Sequence, residues 1–261
     1  LPSSIRRAGV AADGRTRLRV VILFPSHRSA ILVKDCRFEE KASFLQFVQH
    51  GLELNFMVAI DFTGSNGNPY QPSSLHYANP AMFAQGQFNQ YSPILSLTRR
   101  YERAIAMIGN VIEFYDTDRM FPVYGFGACM PGSTTANHCF ALNFNETNPE
   151  VPGVAGVMDV YHSVLTRVQL SGPTLFAPVL IKAERCVWRR VVRISIAQAI
   201  RAQRDKYLVL LIITDGAIHD MEDSIRSLVS ASELPLSVLI IGVGNDDFSS
   251  MEVWAGVKRD G

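Results

Sequence analysis

The stretch that decides the fold runs from residue 55 to residue 65 and reads NFMVAIDFTGS. Its first part, residues 55–60, is predicted as one apolar strand, because a short continuous apolar run is typical of a strand buried on both faces of a sheet. A loop with Asp61, Thr63 and Ser65 follows at once. The stretch therefore predicts a buried strand that ends in oxygen-bearing side chains.

The rest of the chain repeats this pattern of buried strands separated by helices. Residues 207–213 and 236–243 are further apolar runs and predict two more buried strands. Segments that begin near Tyr101, Pro152 and Asp220 carry apolar residues at the spacing of three to four that one buried helix face requires. Strands that alternate with such helices predict a doubly wound α/β fold, with a mostly parallel sheet and helices on both faces.

Local patterns add two more detailed predictions. Residues 120–128 and 138–144 are predicted as the two strands of a hairpin at a sheet edge, because a turn with Pro and Gly joins them. Asp220 is predicted to cap the helix that follows it. The inward face of that helix is predicted to carry four apolar residues, namely Met221, Ile225, Leu228 and Val229.

The domain organisation follows from a change of character near Lys41. Residues 1–40 contain only two short β-prone runs, 18–24 and 30–33, which are too little for an independent domain. We interpret residues 1–40 as a linker or the tail of a preceding module. Residues 41–261 are predicted to form the main α/β domain.

Composition excludes several classes of function. The 261 residues carry 25 basic and 24 acidic side chains, a formal net charge of +1, which gives no field to attract nucleic acid. The apolar runs are shorter than the roughly 20 residues of a membrane-spanning helix. The start lacks the pattern of a secretion signal, so a cytoplasmic location is predicted. The widely spaced cysteines are predicted to be free thiols: Cys36, Cys129, Cys139 and Cys186.

The chemistry is predicted to lie where the buried strands end, since ligands of doubly wound sheets bind beyond the carboxyl ends of the strands. Asp61, Thr63 and Ser65 follow the first strand, Thr174 lies in a later turn, and Asp215 follows the strand at 207–213. Carboxylates and hydroxyls are hard oxygen ligands. They favour Mg²⁺ or Mn²⁺ over zinc or copper.

These motifs resemble the metal-ion-dependent adhesion site of von Willebrand A domains. Phrases such as VAIDFTGSNG, SLHY, FYDTDRMFPVYGFGA and LLIITDGAIHDM further resemble the C-terminal domain of the copine family, over residues 43–252. The resemblance implies metal contacts from Asp61, Thr63, Ser65, Thr174 and Asp215, some of them through water. It also implies an open coordination position that an Asp or Glu of a partner protein can fill.

The resemblance further implies properties of a longer parent protein. Copines carry two calcium-dependent lipid-binding modules ahead of this domain, and residues 17–38 resemble the trailing strands of the second one. Ca²⁺, phospholipid membranes and recruitment to the inner face of the plasma membrane are therefore expected for the parent. The chain is expected to be a fragment that stops before the closing segment of the domain, and stretches 84–103 and 184–204 look longer than in the family.

Other interpretations remain open at this point. A related A domain can serve as the recruiting part of a ubiquitin ligase, although the RING cysteines are absent. A Mg²⁺-assisted hydrolase or kinase has the least support, because no nucleophile elbow, Walker lysine or dinucleotide loop is present, and we expect no enzyme activity. Asp116 and Asp118 are interpreted as solvated aspartates at a helix end, and Asp246 and Asp247 as helix caps. The histidines His76, His138, His162 and His219 are interpreted as ordinary core or surface residues.

The two acidic ligands also allow a prediction about stability. Neighbouring carboxylates repel each other when no cation lies between them. Removing Asp61 and Asp215 is therefore expected to raise the stability of the metal-free protein while it abolishes Mg²⁺ binding.

Overall fold

The computed structural model describes residues 21–23, 30–32, 44–77, 100–193, 206–216, 218–246, 248–249 and 251. The chain divides into two units, Leu1–His50 and Gly51–Gly261. The domain boundary predicted near Lys41 lies outside the described residues. The stretches 84–103 and 184–204 lie outside them in part.

The first unit contains a small hairpin and one short helix. Strands β1 (Val21–Leu23) and β2 (Ala30–Leu32) pair in antiparallel fashion, with Ile22 opposite Ile31. The β-prone runs predicted at 18–24 and 30–33 are confirmed at residues 21–23 and 30–32, and their other residues lie outside the described ones. The helix α1 (Phe44–Gln49) has six residues.

The second unit is built around a parallel sheet whose centre is β3 (Glu53–Asp61). Strand β10 (Lys206–Thr214) pairs with one side of β3 and β4 (Met120–Phe126) with the other. Strand β11 (Leu236–Gly242) pairs with β10, also in parallel. The strands predicted at 55–60, 207–213 and 236–243 are confirmed.

Antiparallel strands complete the sheet beside β4. Strands β7 (Phe140–Ala141) and β8 (Glu150–Pro152) both run antiparallel to β4. The pairing of β4 with β7 confirms the predicted hairpin in part. Strand β4 ends at Phe126, before the predicted end at 128, and only Phe140–Ala141 of the second predicted run, 138–144, forms a strand. A separate small sheet joins β5 (Ala128–Cys129), β6 (Ala136–Asn137) and β9 (Gln169–Leu170). Its strands have two residues each, too few to show an alternating pattern in the sequence.

Helices cover both faces of the sheet. On one face lie α2 (Arg100–Ile112) and α3 (Gly153–Leu165), whose buried residues line a space together with Val58 and Leu211. On the other face α4 (Ala177–Arg193) packs on Met57 and Leu210. The helix α5 (Met221–Ala231) lies against α4. The predicted doubly wound α/β class is therefore confirmed.

Helix α5 differs from its prediction in which residues it buries. Ser224 and Ala231 are buried, whereas Ile225 and Val229 are 43% and 68% exposed. The prediction that Ile225 and Val229 face inward is wrong. Met221 and Leu228 are partly buried, and Leu228 packs against the core, so the predicted face is confirmed at these two positions. The small residues Ser224 and Ala231 let α5 approach its neighbours closely.

Asp220 also differs from its predicted role. It precedes α5 and accepts a hydrogen bond from the Ser224 hydroxyl of that helix at 3.0 Å, but its carboxylate accepts none from a backbone N–H at the start of α5. Instead, the Asp220 oxygens accept hydrogen bonds from the backbone N–H groups of Phe176 at 3.0 Å and Ala177 at 2.8 Å. Asp220 therefore caps α4, whose first turn lies beside the start of α5.

Strand β11 is less buried than predicted. Its residues are partly buried, and Leu239 is 50% exposed. Within the described part of the chain, β11 is the last strand of the order β11-β10-β3-β4-β7. A terminal strand has a neighbour on one side only, which explains the exposure.

Two further predictions concern thiols and membranes. Cys129, Cys139 and Cys186 are free cysteines, and Cys36 lies outside the described residues. None of the helices in the described ranges is long and apolar enough to cross a bilayer.

Candidate metal centre

The candidate centre lies where β3 and β10 end side by side. Ile60 pairs with Ile213, so the next residues, Asp61 and Thr214, emerge together at the carboxyl edge of the sheet. The Thr214 hydroxyl donates a hydrogen bond to Asp61 Oδ2 at 2.6 Å. Parallel register thus brings together two loops that are 153 residues apart in the sequence.

Asp61 is the most constrained residue of the centre. It is fully buried. Its Oδ1 accepts hydrogen bonds from the Thr63 backbone N–H at 2.8 Å and from the Thr63 hydroxyl at 2.6 Å. With the bond from Thr214, three donors hold this carboxylate in one orientation.

Hydroxyl groups connect Asp61 to the second carboxylate. The Thr63 and Ser65 hydroxyl oxygens are 3.0 Å apart, and the Ser65 side chain lies beside Asp215, whose pKa it lowers. Thr63 and Asp215 are buried, whereas Ser65 is exposed. Four of the predicted ligands therefore form one cluster that leads from the core to the surface.

Thr174, the remaining predicted ligand, is placed differently. It is buried, and its backbone is held by His219: the Thr174 N–H donates to His219 Nδ1 at 3.2 Å and its carbonyl accepts from the His219 N–H at 2.9 Å. Upstream, Ser171 forms a bridge to Thr63 and accepts a hydrogen bond from the Gly64 N–H. The segment 171–174 thus borders the Asp61 loop, but no described hydrogen bond joins the Thr174 side chain to the other four residues.

Gly127 is a contributor that the sequence did not reveal. An added Cβ at this position would lie 2.2 Å from Thr63 Cγ2, and the backbone has φ of +79°. Phe62 N–H also bonds to the Phe126 carbonyl at 2.8 Å. Only glycine leaves room for the Thr63 side chain here, since any other residue would push it away.

A buried aromatic cluster supports the Asp61 loop from behind. His76 Nε2 donates to the Asp61 carbonyl at 2.7 Å, and His76 Nδ1 accepts from the Tyr161 hydroxyl at 2.9 Å. Burial lowers the pKa of His76 to about 3, although the bond to Asp61 opposes this shift. His76 is therefore a neutral core residue, as interpreted from the sequence, with an added role in holding Asp61.

Both carboxyl groups are protonated more readily than free aspartate. Burial raises the pKa of Asp61 to about 6; the hydrogen bonds from Thr214 and Thr63 oppose the rise, and the charge of Asp215 adds to it. Burial likewise raises the pKa of Asp215. The Ser65 side chain opposes this rise, and the charge of Asp246 adds to it. The centre is thus an electrostatically unfavourable place for two negative charges.

The residues fit a divalent cation. A cation relieves both causes of the raised pKa values, because it compensates desolvated carboxylates and their mutual repulsion. No group of three or more His, Cys, Asp and Glu side chains able to hold a metal occurs in the described residues. Any site here must therefore use the Thr63 and Ser65 hydroxyls beside two carboxylates, a donor set that suits Mg²⁺ or Mn²⁺.

Three further aspartates of the sequence analysis are Asp116, Asp246 and Asp247. Asp246 lies close to Asp215 and Gly216, so it adds negative charge near the centre, while Asp247 is outside the described residues. Asp116 is 2% exposed, so its description as solvated is wrong. Its oxygens accept from the backbone N–H groups of Phe56 and Arg119, which agrees with a structural role.

A family model and similar proteins of known sequence agree on one family for this chain. The family model described as Copine matches residues 94–259. Protein BONZAI 2 of Arabidopsis thaliana is 47% identical over 218 residues, which cover 84% of this chain and 33% of that protein. Copine-A of Dictyostelium discoideum is 40% identical over 226 residues, 87% of this chain and 34% of that protein. The chain spans about a third of the length of these relatives.

Solved structures give weaker similarities. The manganese-loaded TRAP protein of Plasmodium vivax aligns with a TM-score of 0.44 and 12% identity, covering 80% of this chain and 65% of that one. Proximal thread matrix protein 1 from the mussel byssus, with a zinc-occupied MIDAS motif, aligns with a TM-score of 0.38 and 13% identity. The alignment covers 77% of this chain and 41% of that one. The fold is therefore assigned from the strand order and register of this chain and not from these alignments.

Proposed function

Because this chain belongs to the copine family, we propose that it is a divalent-metal-dependent protein-binding module. Asp61, Thr63, Ser65 and Asp215 would hold Mg²⁺ or Mn²⁺, and Thr174 would support the metal from the neighbouring loop. The bound cation would supply a Lewis-acidic position for a carboxylate of the partner. The geometry of the site supports this proposal in addition to the family.

One observation supports it most directly. Asp61, Thr63 and Ser65 are linked through their side-chain oxygens at the carboxyl edge of the sheet, and Asp215 lies beside Ser65. Both acids are buried, whereas Ser65 at the middle of the cluster is exposed. A cation could therefore reach the centre from solvent at Ser65 and meet two carboxylates already aligned by the hydroxyls.

Titration with MgCl₂ and MnCl₂ tests the metal site. We expect the purified chain to bind either cation and to gain thermal stability, since a ligand of the native state stabilises it. Asp215→Asn should weaken binding by about 100-fold or more, because a ligand and its charge are lost. Asp159→Asn removes an exposed aspartate of α3 and serves as the matched control. An Asp215→Asn variant with wild-type affinity would disprove the assignment.

The partner is proposed to contribute an acidic side chain. With Mn²⁺ bound, water-proton relaxation reports the exchangeable water on the metal. We expect a neutral peptide with one Glu to displace that water, and the same peptide with Gln in its place to leave the relaxation unchanged. Equal effects of the two peptides would rule out carboxylate binding at the metal.

Properties of the whole protein are proposed separately, since the chain spans about a third of its relatives. We propose that the parent binds phospholipid in a Ca²⁺-dependent manner, works in the cytoplasm and is recruited to the inner face of the plasma membrane. Those properties would reside in modules outside this chain. Sedimentation with vesicles containing phosphatidylserine should therefore leave this chain in the supernatant with or without Ca²⁺.

We also propose that the module binds without catalysis. A Mg²⁺ site alone does not transfer phosphoryl groups, because that chemistry needs further groups to position the nucleotide and the attacking group. The proposal predicts that the Mg²⁺-loaded chain releases no phosphate from ATP above the rate of Asp215→Asn. Release that depends on Asp215 would overturn it.

A further inference from the structure

Helix α2 carries an exposed apolar stripe that the metal centre does not use. Met107 and Val111 lie about one turn apart on this helix, and each is 59% exposed. Directly after the helix, Phe114 is 85% exposed and Tyr115 is 55% exposed. The Phe114 N–H bonds to the Val111 carbonyl, so a tight turn continues the helix and places Phe114 beside Val111. We call these four residues the α2 patch.

The opposite side of α2 already faces the core. Its buried residues are Tyr101, Ile105, Gly109 and Ile112. A helix at the surface of a globular protein normally turns a polar side to solvent, whereas α2 is apolar on both sides. Of the twelve large hydrophobic residues that are exposed in the described part of the chain, four lie within positions 107–115. Contiguous apolar groups mark interaction surfaces, while scattered ones do not, so the α2 patch has the character of an interaction surface.

Charge favours a second copy of this chain as the occupant of the α2 patch. The exposed Arg103 lies about one turn before Met107 on the same side of the helix. If two α2 helices pack antiparallel about a two-fold axis at the level of Gly109, Met107 of one copy lies opposite Val111 of the other. Arg103 then lies opposite Tyr115, where a cation meets an aromatic ring and the negative end of a helix. The net charge of +1 leaves little repulsion between copies, so the patch is complementary to itself.

We propose that the α2 patch joins two copies of this chain through an antiparallel pair of α2 helices. Arg100 at the start of α2 bonds to Asn245, which follows β11. Asp116, just beyond the end of α2, bridges to Leu54 at the start of β3. Helix α2 therefore runs from the edge of the sheet that holds the candidate metal centre to the opposite edge. An antiparallel pair would hold the two centres at opposite ends of the dimer, and if the proposed function holds, the dimer would bind two partner proteins at once.

Sedimentation equilibrium of the purified chain tests this, at concentrations from about 1 µM to about 500 µM, where small interfaces associate. We expect the average mass to rise from one chain towards two, equally in EDTA and in MgCl₂, because the patch does not include the metal centre. Val111→Lys should stay a monomer throughout, since lysine would place a charge at the centre of an apolar interface. Val229→Lys is the matched control, the same change at an exposed valine of α5, and should dimerise like wild type. Circular dichroism checks that each variant is folded, and Phe114→Ser should give the same loss as Val111→Lys.

A charge exchange tests the antiparallel arrangement. Arg103→Glu and Tyr115→Lys should each weaken dimerisation by about tenfold, because the first removes the cation and the second sets two cations face to face. The double variant should recover the wild-type dissociation constant, because opposite charges then meet across the axis. A double variant weaker than either single one, or a loss in Val229→Lys equal to that in Val111→Lys, would overturn the proposal. A wild-type chain that stays monomeric would also overturn it and assign the α2 patch to a different protein, while the Mg²⁺ titration decides the proposed function independently.

Discussion

Asp61 and Asp116 are buried carboxylates near opposite ends of β3, and burial raises the pKa of each to about 6. Each also has an acidic neighbour, Asp215 for Asp61 and Asp118 for Asp116. Burial and repulsion alone therefore do not distinguish them. A raised pKa marks an unfavourable place for charge, which a metal site and a structural site can share.

Their hydrogen-bond donors do distinguish them. Asp116 accepts from two backbone N–H groups, Phe56 at 3.1 Å and Arg119 at 3.2 Å, which can serve only as donors. Asp61 accepts one backbone N–H bond, from Thr63, but its other two donors are the Thr63 and Thr214 hydroxyls, whose oxygens keep lone pairs. A hydroxyl oxygen beside a carboxylate can itself bind a cation, whereas a backbone N–H group offers no ligand atom. We therefore expect a cation at Asp61 and not at Asp116.

The largest expected effect is on the free energy of unfolding and concerns Asp116, the carboxylate with the structural role. Asp116→Ala leaves two backbone N–H groups without their acceptor, and we expect a loss of about 3 kcal/mol in the free energy of unfolding. Urea denaturation in EDTA measures it. Asp159→Ala is the control, because Asp159 is an exposed aspartate of α3. Loss of the Mg²⁺ response in Asp116→Ala would contradict the division between the two sites.

Next in size is the effect of removing Asp61. Its three hydrogen bonds change the expectation drawn from charge repulsion alone: Asp61→Ala would leave three donors of Thr63 and Thr214 unsatisfied. We expect the metal-free protein to lose about 2 kcal/mol. Asp215→Ala, which removes a carboxyl group next to Ser65 and Asp246, should stay within about 0.5 kcal/mol of wild type. Equal or higher stability of metal-free Asp61→Ala would instead favour the repulsion argument.

The pH dependence of stability sharpens the comparison further. An aspartate whose pKa is raised in the folded state stabilises the fold below its unfolded pKa, near 4, and this contribution is lost as the pH rises through about 6. The metal-free protein should therefore lose stability between pH 4 and pH 6. Urea midpoints at half-unit steps measure the slope.

Mg²⁺ should separate the two contributions to that slope. The cation binds ionised Asp61 and Asp215, so saturating Mg²⁺ should cancel their part and leave the part due to Asp116. Asp118→Asn should remove a smaller part of the remainder, because burial is the main cause of the raised pKa of Asp116 and Asp118 adds to it. An unchanged slope in saturating Mg²⁺ would count against metal binding at Asp61.

The sequence predicted features that rest on periodicity or on adjacency. The apolar runs became β3, β10 and β11, and parallel register then brought Asp61 beside the loop that carries Asp215. Strand ends in a doubly wound sheet meet at one edge, so the location of the site followed from the fold class. The chain of bonds through Thr63 and Ser65 was also local, within five residues.

Features that depend on distant contacts were not predicted. Asp220 caps a helix that begins 43 residues earlier, and Gly127 makes room for Thr63, 64 positions away. His76 bonds to Tyr161 across 85 residues. Single residues at such separations leave no periodic signal. For α5, hydrophobicity pointed to Ile225 and Val229, but close packing favoured the small Ser224 and Ala231.

The smallest expected effect concerns Thr174, the one predicted ligand outside the cluster that Asp61, Thr63, Ser65 and Asp215 form. Its backbone is fixed by His219 and its segment borders the Asp61 loop, so its side chain would act on the metal indirectly. Thr174→Val keeps the shape and removes the hydroxyl. We expect Mg²⁺ affinity to fall by less than about tenfold, the lower range for groups that orient a metal shell, and Thr174→Ser to restore it. A loss as large as that of Asp215→Asn would place Thr174 among the direct ligands, because only a group bound to the cation itself would then explain the two equal effects.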